Sequence, residues 1–315
     1  MKRLGRFFRG GALAVCLALM AIAQDEPKKS ADQPSADELY ETGKSLFDQF
    51  APAAVKAQFE FPSKVQWDEF AARLQRALES DDLGALAVYE PQARAALVAL
   101  RALPGYEDYA NWLAERIDYI EAAKQATALP PPQRAPAVGA LFVPYYDLWL
   151  QRMRAHAVPE QAGKLMPALR AAFMAEGVPP EIAWLAEAES TLNPAARSPS
   201  GAKGLFQLMP DTARALGLST FLPDERADTG KSAHAAARYL RTLREKFGEW
   251  PLAFAAYNAG EGRVERLLKK RGAATFGEIA SALPSETRMY VPKVCATIAV
   301  RTGVSPEKLP PPRAS

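Results

Sequence analysis

The sequence predicts a mainly α-helical protein, and three observations support that prediction. Alanine is abundant and runs of β-branched residues are absent, which favours helices over strands. No alternation of apolar and polar residues is longer than four residues, so the pattern gives no support for a regular sheet. Apolar residues instead recur at helical spacing. One such set is Trp67, Phe70, Leu74 and Leu78.

The composition excludes several classes of protein. With 315 residues, 49% of them apolar, the chain is too long for a peptide hormone and too apolar for a disordered protein. Two cysteines and two histidines are too few for a Cys/His zinc cluster or a disulfide-built scaffold. Neither His156 nor His234 has clustered acids or a cysteine beside it in the sequence. We therefore expect no metal and no cofactor.

Charge is distributed unevenly along the chain. Residues 1–23 carry four bases and no acid, residues 24–128 have a net charge of −8, and residues 129–315 have a net charge of +7. A basic half suits an anionic partner such as nucleic acid, an anionic membrane or an acidic polymer.

The first 23 residues have the pattern of a secretory signal peptide. A cationic start precedes a short apolar run, and Ala21-Ile22-Ala23 is a small-x-small cleavage site. The alternatives are a retained anchor, for which the run is short, and a lipoprotein modified at Cys16, for which Val15 fits the lipobox poorly. We expect export to the periplasm or cell envelope, with a lipid-anchored outer-membrane protein as the alternative.

The remaining chain divides at a proline-rich stretch. Leu129 to Pro136 contains four prolines and predicts a stiff linker between two domains. The predicted segments are a flexible lead-in at 24–36, a helical N-terminal domain at 37–128, a linker at 129–137, a second domain at 138–309 and a disordered tail at 310–315.

Prolines and glycines mark the expected helix ends in the second half. Pro180 opens a helix that Asn193-Pro194 closes, and Pro210 opens the next helix. A longer helix stops at Gly248, and a short apolar helix ends at Gly260. Cys295 lies on the apolar face of the last helix and is predicted to be a core residue.

Two glutamates stand in an unusual setting near the end of the first of these helices. Glu187 and Glu189 are separated by one alanine, so on a helix they point about 200° apart. Glu189 is close to the negative end of the helix and has apolar neighbours, and both effects raise a carboxyl pKa toward that of a general acid. The alternative is that both glutamates are ordinary surface residues.

Two further segments could bind a polar ligand. Gln207 lies in an apolar run within a loop that is rich in Gly and Pro, where a buried amide must be hydrogen-bonded. Tyr257 and Asn258 stand among small residues at a helix end, a setting that suits a sugar ring lying against an aromatic ring. The alternatives are a glutamine satisfied by its own backbone and a tyrosine that belongs to the core.

Taken together and in this order, these segments identify a protein family much more specifically than any one of them does. The motifs are Glu189-Ser-x-x-Asn-Pro194, Ser198-x-Ser-Gly-Ala-x-Gly-Leu-x-Gln207-x-Met-Pro-x-Thr-Ala213, Ala-Ala-Tyr257-Asn-Ala-Gly260 and Glu286-Thr-Arg-x-Tyr290-Val. Over residues 160–305 the chain resembles the bacterial lytic transglycosylases with a soluble-type catalytic domain, and it is most similar to the membrane-bound lytic murein transglycosylase D branch.

The resemblance implies a lysozyme-like, mainly α-helical catalytic domain with minor β structure, preceded by a separate helical segment. It implies cleavage of the β-1,4 bond between N-acetylmuramic acid and N-acetylglucosamine in peptidoglycan, leaving a 1,6-anhydro-muramic end. By position, Glu189 would be the single acid/base, and Ser198 would orient the N-acetyl group of the substrate. The positions that would line the sugar cleft are Gln207, Met209, Tyr257, Asn258 and Tyr290. Glu187 has no catalytic counterpart and is predicted to be a surface residue.

Two other functions remain open at this stage. A muramidase would use water as the nucleophile if Asp224, Glu225 or Asp228 supplied a base, whereas Asp211 is expected to be a first-turn helix acid. A glycan-binding or assembly factor would keep the cleft with little chemistry. The expected partners are peptidoglycan strands and, through residues 37–128, a protein. No nucleic-acid partner is expected, and no clear lipobox encodes membrane association.

Overall fold

The structure is a computed structural model, and it describes residues 44, 77, 79–101, 107–130, 132, 141–198 and 200–313. The predicted signal peptide, the lead-in and the apolar set that begins at Trp67 lie outside the described residues. Contacts between Cα atoms divide the chain into two compact units. One unit runs to Lys124 and includes Ser198 and Ser200, and the other contains the remaining residues from Gln125 onward.

The described part of the first unit is helical. Its helices are α1 (Leu83–Ala87), α2 (Glu90–Arg101) and α3 (Glu107–Thr127), which continues into the second unit. Glu90 on α2 accepts hydrogen bonds from Arg94, at 3.1 Å, and from Lys124 on α3, at 2.6 Å. Leu113 and Ile117 are buried on α3, as their helical spacing predicts.

The second unit is a helical domain, which confirms the predicted fold class. Its helices are α4 (Tyr146–Ala155), α5 (Ala162–Ala175), α6 (Leu185–Ser190), α7 (Pro210–Ala215), α8 (Thr229–Phe247), α9 (Trp250–Ala259), α10 (Glu261–Arg271), α11 (Phe276–Ile279) and α12 (Ser285–Thr302). Short 3-10 turns precede α6, α8 and α12. Among the described residues, β structure is limited to isolated bridges that join Lys203 to Arg197 and to Leu208.

Helix α12 is the centre of this domain. It packs against α4, α6 and α9, and its residues from Met289 to Ile298 are all buried. Helix α9 is buried from Trp250 to Ala256 and has apolar residues all round, as expected of a helix enclosed by other helices. Cys295 is fully buried on α12, which confirms its predicted place in the core. Within the described ranges, no helix combines the length and the apolar character needed to span a bilayer.

The helices begin and end at the prolines and glycines that the sequence predicted. Pro210 is the first residue of α7, and Gly248, with φ 82°, caps the end of α8 in the left-handed conformation. Gly260 directly follows α9. The disordered tail predicted at 310–315 is wrong for residues 310–313. The Pro310 carbonyl accepts a 2.8 Å hydrogen bond from the buried Trp250 indole, and the Arg313 amide donates to Gly177, also at 2.8 Å.

Candidate active site

Glu189 lies in the last turn of α6, on its partly exposed side. The helix stops there because Thr191 and Leu192 adopt the left-handed conformation, with φ of 51° and 61°. The Tyr290 hydroxyl donates a 2.5 Å hydrogen bond to Glu189 Oε1. Tyr290 is 2% exposed on the central helix α12, so a rigid element fixes the orientation of the carboxyl group. Two predicted site residues that are 101 positions apart are thereby brought together.

Tyr257 lies beside the same carboxyl group. Burial raises the pKa of Tyr257 well above its usual value, and the negative charge of Glu189 adds to this effect. The tyrosine is therefore a neutral hydrogen-bond donor, and its hydroxyl donates to the Phe206 carbonyl at 2.6 Å. Its ring lies 5.5 Å from that of Tyr239, centroid to centroid. Tyr257 thus joins α9 to the loop before α7, while its ring belongs partly to the core.

Asn258 follows Tyr257 at the end of α9 and is half-buried. Its Oδ1 atom accepts a 2.7 Å hydrogen bond from the hydroxyl of Thr287 on α12. This bond fixes the plane of the amide. The sequence reasoning did not single out Thr287, although it lies within the last motif, between Glu286 and Arg288.

The loop between Ala196 and Leu208 is folded by its own backbone. The Gly204 amide donates to the Ala196 carbonyl at 2.9 Å, and the Lys203 and Leu208 amides donate to each other's carbonyls. Gln207 has φ 43°, and its side-chain nitrogen donates to the Gly204 and Ala196 carbonyls at 2.8 and 3.3 Å. The side-chain amide nitrogen of Gln207 is therefore hydrogen-bonded to the loop backbone. This is the alternative that the sequence left open, a glutamine satisfied by nearby backbone without a ligand.

Ser190 connects the loop to the helix that carries Glu189. Its hydroxyl is buried and lies within hydrogen-bond distance of the Ala186 and Leu205 carbonyls, at 3.0 and 2.9 Å. Because Ser190 is adjacent to Glu189, this contact holds the end of α6 against the loop. The sequence reasoning missed this role, although Ser190 stands directly beside the acid in the first motif.

Arg226 is a second residue, besides Ser190, that binds the loop between Ala196 and Leu208. Its side chain is 8% exposed and donates to the Gly201 and Leu208 carbonyls at 2.7 and 3.1 Å. The guanidinium also pairs with Asp224, which accepts a further bond from Lys203 at 3.1 Å. Nothing in the spacing of the sequence predicted the contact with the loop, because its acceptors there are the backbone carbonyls of Gly201 and Leu208.

Asp224 has an unusual pKa in this setting. Burial by itself would raise it, but the hydrogen bonds from Arg226 and Lys203 outweigh burial and lower the pKa to about 2. Asp224 is consequently ionised at neutral pH, and its carboxylate stabilises the loop through the bonds from Arg226 and Lys203.

Glu225 and Asp228, the other two acids that could have supplied a base, also have structural contacts, and so does the first-turn helix acid Asp211. Asp211 pairs with Arg214 on its own helix. Glu225 accepts from the Ser219 amide at 2.8 Å and pairs with Lys231. Asp228 caps α8 by accepting from the Lys231 amide at 2.8 Å.

The prediction that Glu187 is a surface residue is wrong. Its side chain is 7% exposed and forms a bidentate ion pair with Arg301, at 2.6 and 2.9 Å. Arg301 lies near the end of α12 and also donates to the His156 and Ala157 carbonyls after α4. Glu187 points about 200° away from Glu189, and in the structure this direction leads toward α12 and not into solvent. There the Glu187 carboxylate pairs with the buried Arg301 side chain.

Ser198 and Met209 complete the set of predicted residues. The Ser198 and Ser200 hydroxyls are 3.0 Å apart, and both residues group with the first unit. Met209 is half-buried and is the residue directly before α7. The roles predicted for these two residues remain predictions.

Comparison with known proteins finds a family model that matches part of the chain. Residues 166–279 match the Transglycosylase SLT domain model. The chain is 41% identical over 125 residues to the membrane-bound lytic murein transglycosylase D of Escherichia coli K12, which covers 38% of this chain and 27% of that protein. It is 37% identical over 120 residues to the soluble lytic murein transglycosylase of Salmonella typhimurium, covering 36% and 19%. The chain thus spans about a quarter of the length of such relatives.

A solved structure shows a more distant likeness. The 70-kDa soluble lytic transglycosylase of Escherichia coli superposes with a TM-score of 0.42 at 20% sequence identity, covering 95% of this chain and 52% of that chain.

The residues matched by the family model include Glu189, Gln207, Tyr257 and Asn258, whereas Tyr290 lies beyond the last of them.

Proposed function

Because residues 166–279 match the Transglycosylase SLT domain model, we propose that the chain is a lytic transglycosylase that cleaves peptidoglycan. The bond cleaved is the β-1,4 link between N-acetylmuramic acid and N-acetylglucosamine. One observation carries the proposal: a partly exposed glutamate at a helix end within the matched residues accepts a 2.5 Å hydrogen bond from the hydroxyl of the buried Tyr290, which follows them in the chain.

Glu189 is proposed to act twice in the reaction. As an acid it protonates the departing O4 oxygen while the bond from C1 to that oxygen breaks. As a base it then accepts the proton of the C6 hydroxyl while O6 forms a bond to C1. The glutamate is protonated again at the end, no water is consumed, and the product is a 1,6-anhydro-muramic end. Tyr290 acts through Glu189, because its hydroxyl fixes where the carboxyl oxygens point.

The cationic sugar needs stabilisation other than a carboxylate nucleophile. The N-acetyl group of the substrate can supply it, as in substrate-assisted glycosidases. Ser198 is the residue proposed to orient that group. The residues proposed to line the cleft are Gln207, Met209, Tyr257, Asn258 and Tyr290.

The structural contacts of the neighbouring acids favour a lyase over a hydrolase. A muramidase that uses water needs a second carboxylate as its base. Asp224 is held by a buried arginine and by Lys203, and Glu225 and Asp228 are occupied with the start of α8. These contacts support the anhydro product, which is lighter than the hydrolysis product by one water.

We further propose that the protein works outside the cytoplasm. The leader at residues 1–23 has the pattern of a secretory signal, and the glycan that an SLT domain would cleave is in the cell envelope. The basic half, residues 129–315, suits an acidic polymer. The helical segment at 37–128 is proposed to dock on a protein partner.

Mass spectrometry of the products tests the proposal. Purified peptidoglycan is digested with the wild type, with Glu189→Gln and with the control Glu160→Gln, which changes an exposed glutamate. Anhydro-muropeptides from the wild type and the control, but not from Glu189→Gln, are expected. Products with reducing ends would contradict the lyase mechanism. Equal turnover by Glu189→Gln would contradict the assignment of the acid, and binding without turnover by the wild type would favour the glycan-binding alternative.

A further inference from the structure

Helix α10 carries a row of cations directly after the candidate site. Only Gly260 separates it from α9, the helix that ends with Tyr257, Asn258 and Ala259. Arg263, Arg266 and Lys270 follow one another at i, i+3 and i+7, so they share a face, and Lys269 lies next to them. All four are exposed, while Val264 is buried beneath the helix. We refer to these four residues as the basic stripe.

The rest of the protein neutralises the basic stripe only in part, through the charge of Lys269, which helps to lower the pKa of Glu265. The two acids on α10, Glu261 and Glu265, both pair with Lys246 on α8, at 3.6 and 3.0 Å. Throughout the part of the chain that the structure describes, no ion pair or side-chain hydrogen bond is made by any residue of the stripe. Arg271, the next cation, differs because it donates to the Glu278 carbonyl and the Ser281 hydroxyl.

Apart from Glu265 and Lys269, which are favourably spaced at i, i+4, the charges around Arg266 and Arg263 are unfavourable for the helix alone. Arg266 has a like charge at i−3, at i+3 and at i+4, and each such pair opposes helix formation. The helix dipole accounts for the cations in the last turn, Lys269 and Lys270, but not for Arg263, which lies close to the positive end. An external anion would relieve both effects.

We infer that the basic stripe binds the carboxylates of the peptides attached to the glycan strand. The inference rests on the proposed function and deepens it. Guanidinium groups match carboxylates in shape and form paired hydrogen bonds with them. The stripe starts only a few residues beyond Asn258, so a strand lying in the cleft would bring its peptides toward α10.

An anionic membrane is a weaker candidate for the same surface. A helix that lies on a membrane presents large apolar side chains beside its cations. The exposed large apolar residues among those described are Val88, Leu129, Val158, Met174, Phe221 and Leu222. None of them is on α10, so the stripe offers charge without an apolar anchor.

The test compares two matched double variants. Arg263→Gln/Arg266→Gln removes half of the stripe, and Lys164→Gln/Arg170→Gln removes two exposed cations from α5 as a control. Both are made in the Glu189→Gln background, so that turnover does not consume the substrate. Binding is measured to beads carrying intact peptidoglycan fragments, to beads carrying glycan stripped of its peptides by an amidase, and to vesicles rich in anionic lipid. Circular dichroism verifies that each variant is folded.

The stripe variant is expected to bind intact fragments roughly ten-fold more weakly, since each exposed cation contributes about two- to five-fold. High salt should reduce that difference, and binding to stripped glycan should be unchanged. Unchanged affinity for intact fragments, or an equal loss on stripped glycan or in the control, would overturn the inference. Vesicle binding that requires the stripe would also overturn it, in favour of a membrane surface. Product analysis of the wild type tests the proposed function separately, because these binding measurements do not depend on turnover.

Discussion

Replacement of Glu187 by glutamine should strongly destabilise the second unit of the chain. Both side chains of the Glu187–Arg301 pair are nearly buried, at 7% and 6% exposed, so water cannot replace a lost partner. Removing one member of a buried pair costs about 3–5 kcal/mol. Glutamine keeps the volume and one acceptor, and Arg301 keeps the His156 and Ala157 carbonyls. We therefore expect a decrease of about 3 kcal/mol in the free energy of unfolding, the lower end of that range.

Urea unfolding followed by circular dichroism measures this change. The matched control is Glu245→Gln, because Glu245 pairs with Arg241 at 2.8 Å but is 57% exposed. That substitution should cost less than about 1 kcal/mol. The double variant Glu187→Gln/Arg301→Gln should be clearly more stable than the sum of its single changes predicts. A loss below about 1 kcal/mol for Glu187→Gln, or simple additivity in the cycle, would refute the reasoning that the pair is buried and coupled.

Three further changes test the site and its loop. Tyr290→Phe should lower kcat about ten-fold with little change in KM, because Glu189 loses the hydroxyl that orients it; an unchanged kcat would contradict that role. Gly204→Ala should lower the melting temperature by several degrees, since its Cβ would lie 1.9 Å from the Arg226 carbonyl oxygen at φ +81°; unchanged melting would count against this close approach. The depressed pKa of Asp224, about 2, means that its contribution is complete above about pH 4 and is lost as the pH falls through 2. Acid titration of Asp224→Asn should lack that loss, and an identical acid profile would contradict the pKa.

Local structure was largely predictable because its causes are local. A proline at the first helical position or a glycine in the left-handed conformation acts within a few residues. The sequence alone therefore placed the start of α7 at Pro210 and the end of α8 at Gly248. The same holds for Cys295, whose burial follows from the apolar spacing of its own helix. The tail was mispredicted because its order depends on the Trp250 indole, which is 60 positions away from Pro310.

Contacts in the site were less predictable because they join distant parts of the chain. The motifs indicated that Glu189 and Tyr290 belong to one site, but not that the tyrosine hydroxyl donates to the carboxyl group. The burial of Arg226 has no sequence pattern, since its acceptors include the carbonyls of Gly201 and Leu208, and any residue type offers a carbonyl.

The two glutamates of α6 show where helical periodicity stops being informative. Their spacing predicts opposite directions, and it assigns neither direction to the interior. Glu187 was then predicted to face solvent because it has no catalytic counterpart in the family that the chain resembles and because carboxylates are rarely buried. The missing fact was the position of Arg301, which is 114 residues away on the helix that also carries Tyr290. Since α12 thus contacts both glutamates of α6, a change that loosens the Glu187–Arg301 pair should also disturb the Tyr290–Glu189 contact. For this reason Glu187→Gln should lower kcat even at temperatures where the protein remains folded, whereas the exposed control Glu245→Gln should not.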